Sequence, residues 1–484
     1  MILDVLARHV ATRGDRVFLR HEGQAVTYAQ FDQLVNRAAN ALREQQVTPG
    51  LRVTLALGSS IEYVVAAFGV LRTGAILNPV NPGLGASELG YILQHCEPQV
   101  VVTDAATDAT MRALGVPTVL ATTLAAHDDV RPVDVRHAPE DFSTLLYTSG
   151  TTGRPKGVLF THGRTGTSGP HFIQALGLTP DDTILSVTPL FHGNAWGSVV
   201  TALHAGGAAA FPKTFSASAF WPLVHETGAT VVYTLGTVLA MLLTREPSDL
   251  EKNNPLRVIL GLGSAPIRER IIERFGVQAV LECFGSTDAG VVTIEPLGQP
   301  PRAGSCGPPV PGVRLRVVDE AGNDLPPRGV GEIAVDSPAR MAAYFRDPEA
   351  TAEALRDDWF WSGDLGYLDE DGWLYFVDRK RDVIRRGGEN VSSVLVEKTI
   401  REHPSVVDVA VIGVPEPVLG QEIKAFVVTK EPVTAEELQA FASARLAKFQ
   451  VPRLWEFRES LPKTPTQRVE KYKLREGAGR PLLG

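Results

Sequence analysis

The stretch YTSGTTGRPKGV, residues 147–158, follows the apolar run TLL and decides how the rest of the chain is read. Its glycines let the backbone approach a ligand closely. Its hydroxyls and amide N–H groups suit phosphate oxygens, and Lys156 adds positive charge. A polar hairpin tip is the plain alternative, because the same residue types make solvated turns. The stretch is not a P-loop, which places four residues between its first glycine and Gly-Lys-Ser/Thr. A P-loop nucleoside triphosphatase is therefore a poor second reading.

Outward from this loop, short β-branched runs (VTLAL, VVVTD, TLLYT, VVYTL, VILGLG) alternate with helical patterns such as YAQFDQLVNRAANALRE and SIEYVVAAFGVLR. This alternation predicts α/β layers with mainly parallel sheets. Across residues 308–335 the pattern changes to strands separated by Gly, Pro, Asn and Asp turns, which predicts a small antiparallel, β-barrel-like unit. A further break falls near residue 378. The expected organisation is a large N-terminal domain, residues 1–377, followed by a small mobile α+β domain, residues 378–484. The second part is basic on balance and the first acidic, which suits a mobile cap over an anionic ligand.

Composition sets outer limits. The 484 residues are 44% hydrophobic and 21% charged, enough for two or three cores of an ordinary globular protein. A net charge of −8 gives no reason to expect nucleic acid as a partner. Cys96, Cys283 and Cys306 are far apart and odd in number, so neither a disulfide framework nor a metal cluster is indicated. A reducing cytoplasm fits. The opening residues lack the basic head and apolar stretch of a signal peptide. The run WGSVVTALHAGGAAAFP is too short to span a bilayer.

Five stretches in order carry a resemblance. YTSGTTGRPKGV resembles the phosphate loop of the adenylate-forming superfamily, which includes acyl-CoA synthetases, peptide-synthetase adenylation domains and luciferases. TPLFHGNAW (188–196) resembles its acyl-pocket motif, and GLGSAP (261–266) an adenine-side loop. CFGSTDAG (283–290) resembles the Tyr-Gly-x-Thr-Glu motif, and residues 359–392 resemble the ribose and hinge region. The resemblance covers nearly the whole chain.

It implies a two-step reaction. A carboxylate attacks the α-phosphorus of ATP to give acyl-AMP and pyrophosphate, and a thiolate of coenzyme A then displaces AMP. By resemblance Thr148, Ser149, Gly150, Thr151, Thr152, Gly153 and Lys156 hold the outer phosphates. Phe284, within Cys283, Gly285 and Ser286, stacks on adenine opposite Ser264, Ala265 and Pro266. Thr287 contacts the α-phosphate, Asp288 takes the Mg2+ position, and Asp364 with Arg379 receives the ribose hydroxyls. Arg381 matches the hinge about which the small domain turns, and Gly387, Gly388 and Glu389 line the tunnel for CoA. A core phenylalanine, a turn-capping aspartate and a plain glycine turn are the ordinary alternatives for Phe284, Asp364 and Gly387–Gly388.

Two departures fall on the first step. The tail LPKTPTQRVEKYKLRE (461–476) carries Gln467-Arg468 where the family has Gly-Lys, and a planar guanidinium does not replace a compact ammonium without rearrangement. Lys471 is the candidate substitute and Lys473 a poorer one. Asp288 stands where the family has glutamate, and magnesium demands near-ideal geometry. Two readings follow. In one, Arg468 or Lys471 does the lysine's work and both steps run. In the other, adenylation is lost and the chain makes thioester from an adenylate supplied by a separate enzyme. A non-catalytic nucleotide-binding relative is a third class.

The acyl pocket is expected around His192, Gly193, Asn194, Trp196, Gly261 and Gly263. No carboxylate stands there to pair with an amino group, so a free α-amino acid is disfavoured; the glycines leave space and Trp196 offers an apolar wall, so a bulky aryl or cyclic carboxylic acid fits, with a long linear chain as the alternative. A satisfied core histidine is the ordinary alternative for His192. Coenzyme A is favoured over a carrier-protein thiol, because no carrier domain is fused and the small domain is basic.

Overall fold

A computed structural model describes residues 1–148, 155–380, 382–386, 389–463 and 469–478. Packing divides the chain into two compact units, residues 1–315 with 335–360, and residues 316–334 with 361–484. The antiparallel segment expected within the large domain thus contributes strands to the second unit.

The first unit is built on two sheets. In one, the strands Ala279–Leu281, Val258–Leu262, Val231–Leu235, Thr183–Ser186, Ala208–Ala210 and Val17–His21 run parallel, and Gln24–Thr27 closes the edge as an antiparallel hairpin. In the other, Ile76–Pro79, Arg52–Ala56, Val100–Thr103 and Thr118–Leu120 run parallel to Phe142–Thr148, which returns through Lys156–Thr161 to the short edge strand Ala343–Tyr344. The α/β expectation holds. Val100–Thr103 is buried at every position, as a parallel strand covered on both faces must be.

The helices between strands have local causes. Tyr28–Glu44 begins at a capping box, in which the Thr27 hydroxyl accepts from Gln30 N–H and the Gln30 side chain accepts from Thr27 N–H. Ile61–Arg72 is capped by Ser60 and lies buried almost all round. These two helices meet at Gly69, where a Cβ would lie 2.8 Å from the Ala38 Cβ. Only a residue without a side chain permits that approach.

The second unit contains a curled antiparallel sheet and a smaller C-terminal body. In the latter, Val406–Glu416 pairs antiparallel with Gly420–Thr429, which is flanked by Ile384–Arg386 and, in parallel, Leu454–Phe457. Alternation along Val406–Glu416 separates two apolar faces. Val409 and Val411 meet Val396, Ile400 and Leu438 on one side, and Ala410, Ile412 and Val414 meet Leu461 and Leu474 on the other. Leu474 belongs to the helix Lys471–Ala478, so this charged helix is a covering layer of the body.

Gly69→Val should destabilise the first unit by roughly 1–3 kcal/mol through overpacking. A lower urea midpoint with an unchanged slope checks this.

Candidate active site

The phosphate-loop stretch joins two antiparallel strands, with Thr148 and Lys156 facing each other in register. A strand rather than a helix follows it, which removes the P-loop reading on structural grounds. Residues Ser149, Gly150, Thr151, Thr152 and Gly153 lie outside the described residues, as do Arg381, Gly387, Gly388 and Arg468.

Lys156 opens its strand, and its ammonium stands 5.1 Å from the centroid of the Tyr344 ring. The Tyr344 hydroxyl donates to Asp288 Oδ1 at 2.8 Å. Burial, then the Asp288 charge, pushes the Tyr344 phenol up, so it remains a donor. One ring thus brings together the cation expected at the phosphates and the carboxylate expected at the metal. Asp288 lies in the turn between Cys283–Ser286 and Gly290–Ile294, and its carbonyl accepts from Met341 N–H at 2.7 Å. Tyr344 had no local signature in the sequence. Its role comes from a two-residue strand that registers on Val158.

The adenine-side loop is held by a buried carboxylate that the motif reading missed. Glu282 accepts from Gly263 N–H at 2.9 Å and Ala265 N–H at 2.6 Å. The Ser264 hydroxyl lies 3.0 Å from Glu282 Oε1 and 2.7 Å from the Gly261 carbonyl. Burial raises the Glu282 carboxyl above the usual range, while these donors pull it back. Behind it, Glu282 N–H donates to Glu295 at 2.8 Å, and Glu295 forms a buried ion pair with Arg268. Gly236 closes the arrangement, because a Cβ there would overlap the Gly263 carbonyl. The signal available was Glu282 itself, a carboxylate directly before Cys283 in a strand context.

The acyl-side residues divide by helix face. His192 is the N-cap residue of Gly193–Ala205 without a side-chain cap bond, and its ring packs on Phe191 with centroids 4.6 Å apart. Burial lowers His192 to about 4, so it is uncharged at neutral pH and is a poor proton acceptor there. A Cβ on Gly193, Gly197 or Gly263 would meet nothing within 4 Å, so these positions do leave space. Gly261 does not, since a Cβ there would lie 2.9 Å from both Leu239 and the Ser264 hydroxyl. Trp196, expected as a pocket wall, packs against Phe68, with centroids 5.7 Å apart. The helical repeat sets it on the side of the helix opposite Asn194.

In the second unit Asp364 and Arg379 face each other across two strands, 3.2 Å apart, with Asp364 buried. Glu389 opens the strand Glu389–Val391. Lys471, the candidate substitute for the missing lysine, is already engaged. It pairs with Glu397 at 2.8 Å and donates to Ser393 Oγ at 2.6 Å. Lys473 pairs with Glu470 at 2.5 Å.

Among the described residues no group of three or more His, Cys, Asp or Glu could hold a metal by itself. A lone carboxylate fits magnesium that is carried mainly by phosphate oxygens. Among the same residues, no helix is long and apolar enough to cross a membrane.

Comparison with known proteins places the chain. Residues 6–345 match the family model described as AMP-binding enzyme, and residues 395–468 match the AMP-binding enzyme C-terminal domain. Feruloyl-CoA synthase of an Amycolatopsis species is 34% identical over 471 residues, covering 95% of this chain and 96% of that protein. Crotonobetaine/carnitine–CoA ligase of Salmonella arizonae is 33% identical over 486 residues, covering 94% of each. ATP-bound MatB from Rhodopseudomonas palustris superposes with a TM-score of 0.91 at 28% identity over 99% of each chain. O-succinylbenzoate coenzyme A synthetase (MenE) from Bacillus subtilis, in complex with ATP and magnesium, does so with a TM-score of 0.89 at 27% identity over 98% of each.

The chain belongs to the AMP-binding enzyme family. It is an acyl-CoA ligase that works through an acyl-adenylate, with ATP, magnesium and coenzyme A. These relatives support neither the thioester-only reading nor the non-catalytic one.

Two outcomes follow. Glu282→Gln places an amide N–H2 against buried N–H donors, and the KM for ATP should rise roughly ten- to a hundredfold, with the KM for the acid changing less. Steady-state kinetics with each substrate varied check this. His162 and His204 are also lowered to about 4, mainly by burial. The unfolded chain takes up these protons near the ordinary value of 6.5 and the native chain, as at His192, only near 4. Native stability should therefore be full above the upper value and fall towards the lower one. Urea midpoints across that range read it out.

Proposed function

We propose that this ligase joins an aryl or cyclic carboxylic acid to coenzyme A in the cytoplasm, and that it carries out both half-reactions itself. The observation that carries the proposal is Tyr344, whose ring meets Lys156 and whose hydroxyl donates to Asp288. Two anions must meet in the first step, so a cation and a metal-binding carboxylate at one place is what the chemistry needs. In this reading Thr148, residues 149–153 and Lys156 hold the outer phosphates, and Phe284 stacks on adenine against Ser264, Ala265 and Pro266. Thr287 contacts the α-phosphate, and Asp364 accepts from the ribose hydroxyls with Arg379 beside it. Magnesium at Asp288, when bound, neutralises charge between the phosphates.

His192 and the open space at Gly193 receive the acid. Because His192 is neutral, it orients the carboxylate and fills the pocket mouth without drawing the carboxylate into an ion pair. For the second step, residues 378–484 turn as a body about Arg381 and bring Gly387, Gly388 and Glu389 to the thiol path. The packed core on both faces of the Val406–Glu416 strand supports movement as one piece.

Arg468 is the tail cation of the first step in this reading, because Lys471 is committed to Glu397 and Ser393. The same commitment favours one second reading, in which adenylation is weak and a separate adenylating enzyme supplies the intermediate. Two assays decide. With acid, ATP and magnesium, pyrophosphate should be released, and Arg468→Ala should cut that rate about a hundredfold or more. With synthetic acyl-adenylate and CoA, thioester formation by Arg468→Ala should keep pace with the unsubstituted protein. Pyrophosphate release that emerges only in Arg468→Lys would establish the second reading.

A further inference from the structure

The flank of the helix Gly193–Ala205 that carries Asn194 and Gly197 also carries Thr201, at i, i+3 and i+7. No atom stands within 4 Å of where a Gly197 side chain would begin. One turn deeper, Thr201 is 1% exposed, and beside it lies the hydroxyl of Tyr233, also 1% exposed. Tyr233 comes from the strand Val231–Leu235, its ring packs on Phe172 with centroids 5.3 Å apart, and Cys283 of the adenine-side motif is a near neighbour. Apart from the approach of one to the other, neither hydroxyl has a hydrogen-bond partner among the described residues. Buried polar groups are nearly always satisfied, and a phenylalanine and a valine would fill the same volume without that cost. The two hydroxyls together offer donors and acceptors at one point.

We propose that Tyr233 and Thr201 form a polar floor to the acyl pocket, and that the acid accepted here bears a hydroxyl or carbonyl oxygen at the end remote from its carboxylate. The inference rests on the reading that this helix lines the acyl pocket. From Asn194 to Thr201 the helix rises about 10 Å, which sets the depth at which the oxygen is met. His192 at the mouth and the hydroxyl pair at the floor then measure the acid between two fixed points. A pocket built to bond a substrate oxygen discriminates strongly against the analogue that lacks it, because its own groups are then left buried and unpaired.

The test compares acids in matched pairs that differ only by the far hydroxyl: benzoic and 4-hydroxybenzoic, cinnamic and 4-hydroxycinnamic, octanoic and 8-hydroxyoctanoic. Thioester formation with ATP and CoA is followed for each. The unsubstituted enzyme should favour the hydroxylated member of at least one pair by about tenfold or more in kcat/KM. Tyr233→Phe, which keeps the ring, and Thr201→Val, which keeps the shape, should each pull that ratio towards one. Equal use of both members of every pair overturns the inference, as does a ratio that neither variant moves. Turnover of aryl acids without such a preference leaves the proposed function standing and removes the polar floor alone. Absence of turnover with every aryl acid overturns the proposed aryl substrate, and the octanoic pair then decides the polar floor by itself.

Discussion

One buried carboxylate fixes the shape of the site. Glu282 is almost wholly removed from water and accepts from two backbone N–H groups in the loop at the end of the strand Val258–Leu262. A buried carboxylate without donors is very costly, so the loop has one conformation in which the donors converge and no relaxed alternative. Glu295 and Arg268 extend the constraint by anchoring the Glu282 backbone to the first residue of the helix Arg268–Phe275. Three successive elements (strand, helix and motif hairpin) are thereby locked in register with the loop expected to face adenine. The glycine at 236 belongs to the same constraint, because the loop rests directly on its backbone.

Much of this was legible in the chain itself. Parallel layers follow from short β-branched runs between helical repeats, and the motif stretches fall at strand ends, where ligands meet α/β sheets. What escaped was pairwise. Tyr344 acquires its role from an edge strand that is adjacent only in space, and Glu282 from donors about twenty residues earlier. Trp196 and Gly261 show the opposite case, since both were assigned by motif membership, whereas the structure shows packing of Trp196 on Phe68 and crowding of Gly261 by Leu239 that no motif announces. A motif gives the residues of a helix in order, but the 3.6-residue repeat decides which of them share a face.

The charged tail shows how a local reading and a packed one diverge. As sequence, Lys471 is a free cation one turn beyond Arg468. In the fold it starts a helix whose Leu474 seals the second face of a sheet, and its ammonium balances the buried Glu397. Burial raises the Glu397 carboxyl, and Lys471 is the chief group opposing that shift. Moving this lysine to a reacting phosphate would leave a buried carboxylate alone, which typically costs several kcal/mol. The second half of the tail is thus tied to the stability of the small body.

The shortened metal-site carboxylate is answered by the same kind of reasoning. An aspartate reaches less far than a glutamate, but it also has one fewer torsion to order. Here the Tyr344 hydroxyl holds one of its oxygens, while the turn carbonyl beneath it is held by Met341 N–H. Tyr344 in turn sits in register with the strand that Lys156 begins, so cation and carboxylate are spaced by sheet geometry rather than by two flexible side chains. Side chains whose rotamers are fixed by neighbours lose less entropy on meeting a ligand than free ones do. The shorter arm is therefore compatible with a working phosphate site, and the doubt raised by its length bears on fine geometry, not on whether charge can be gathered there.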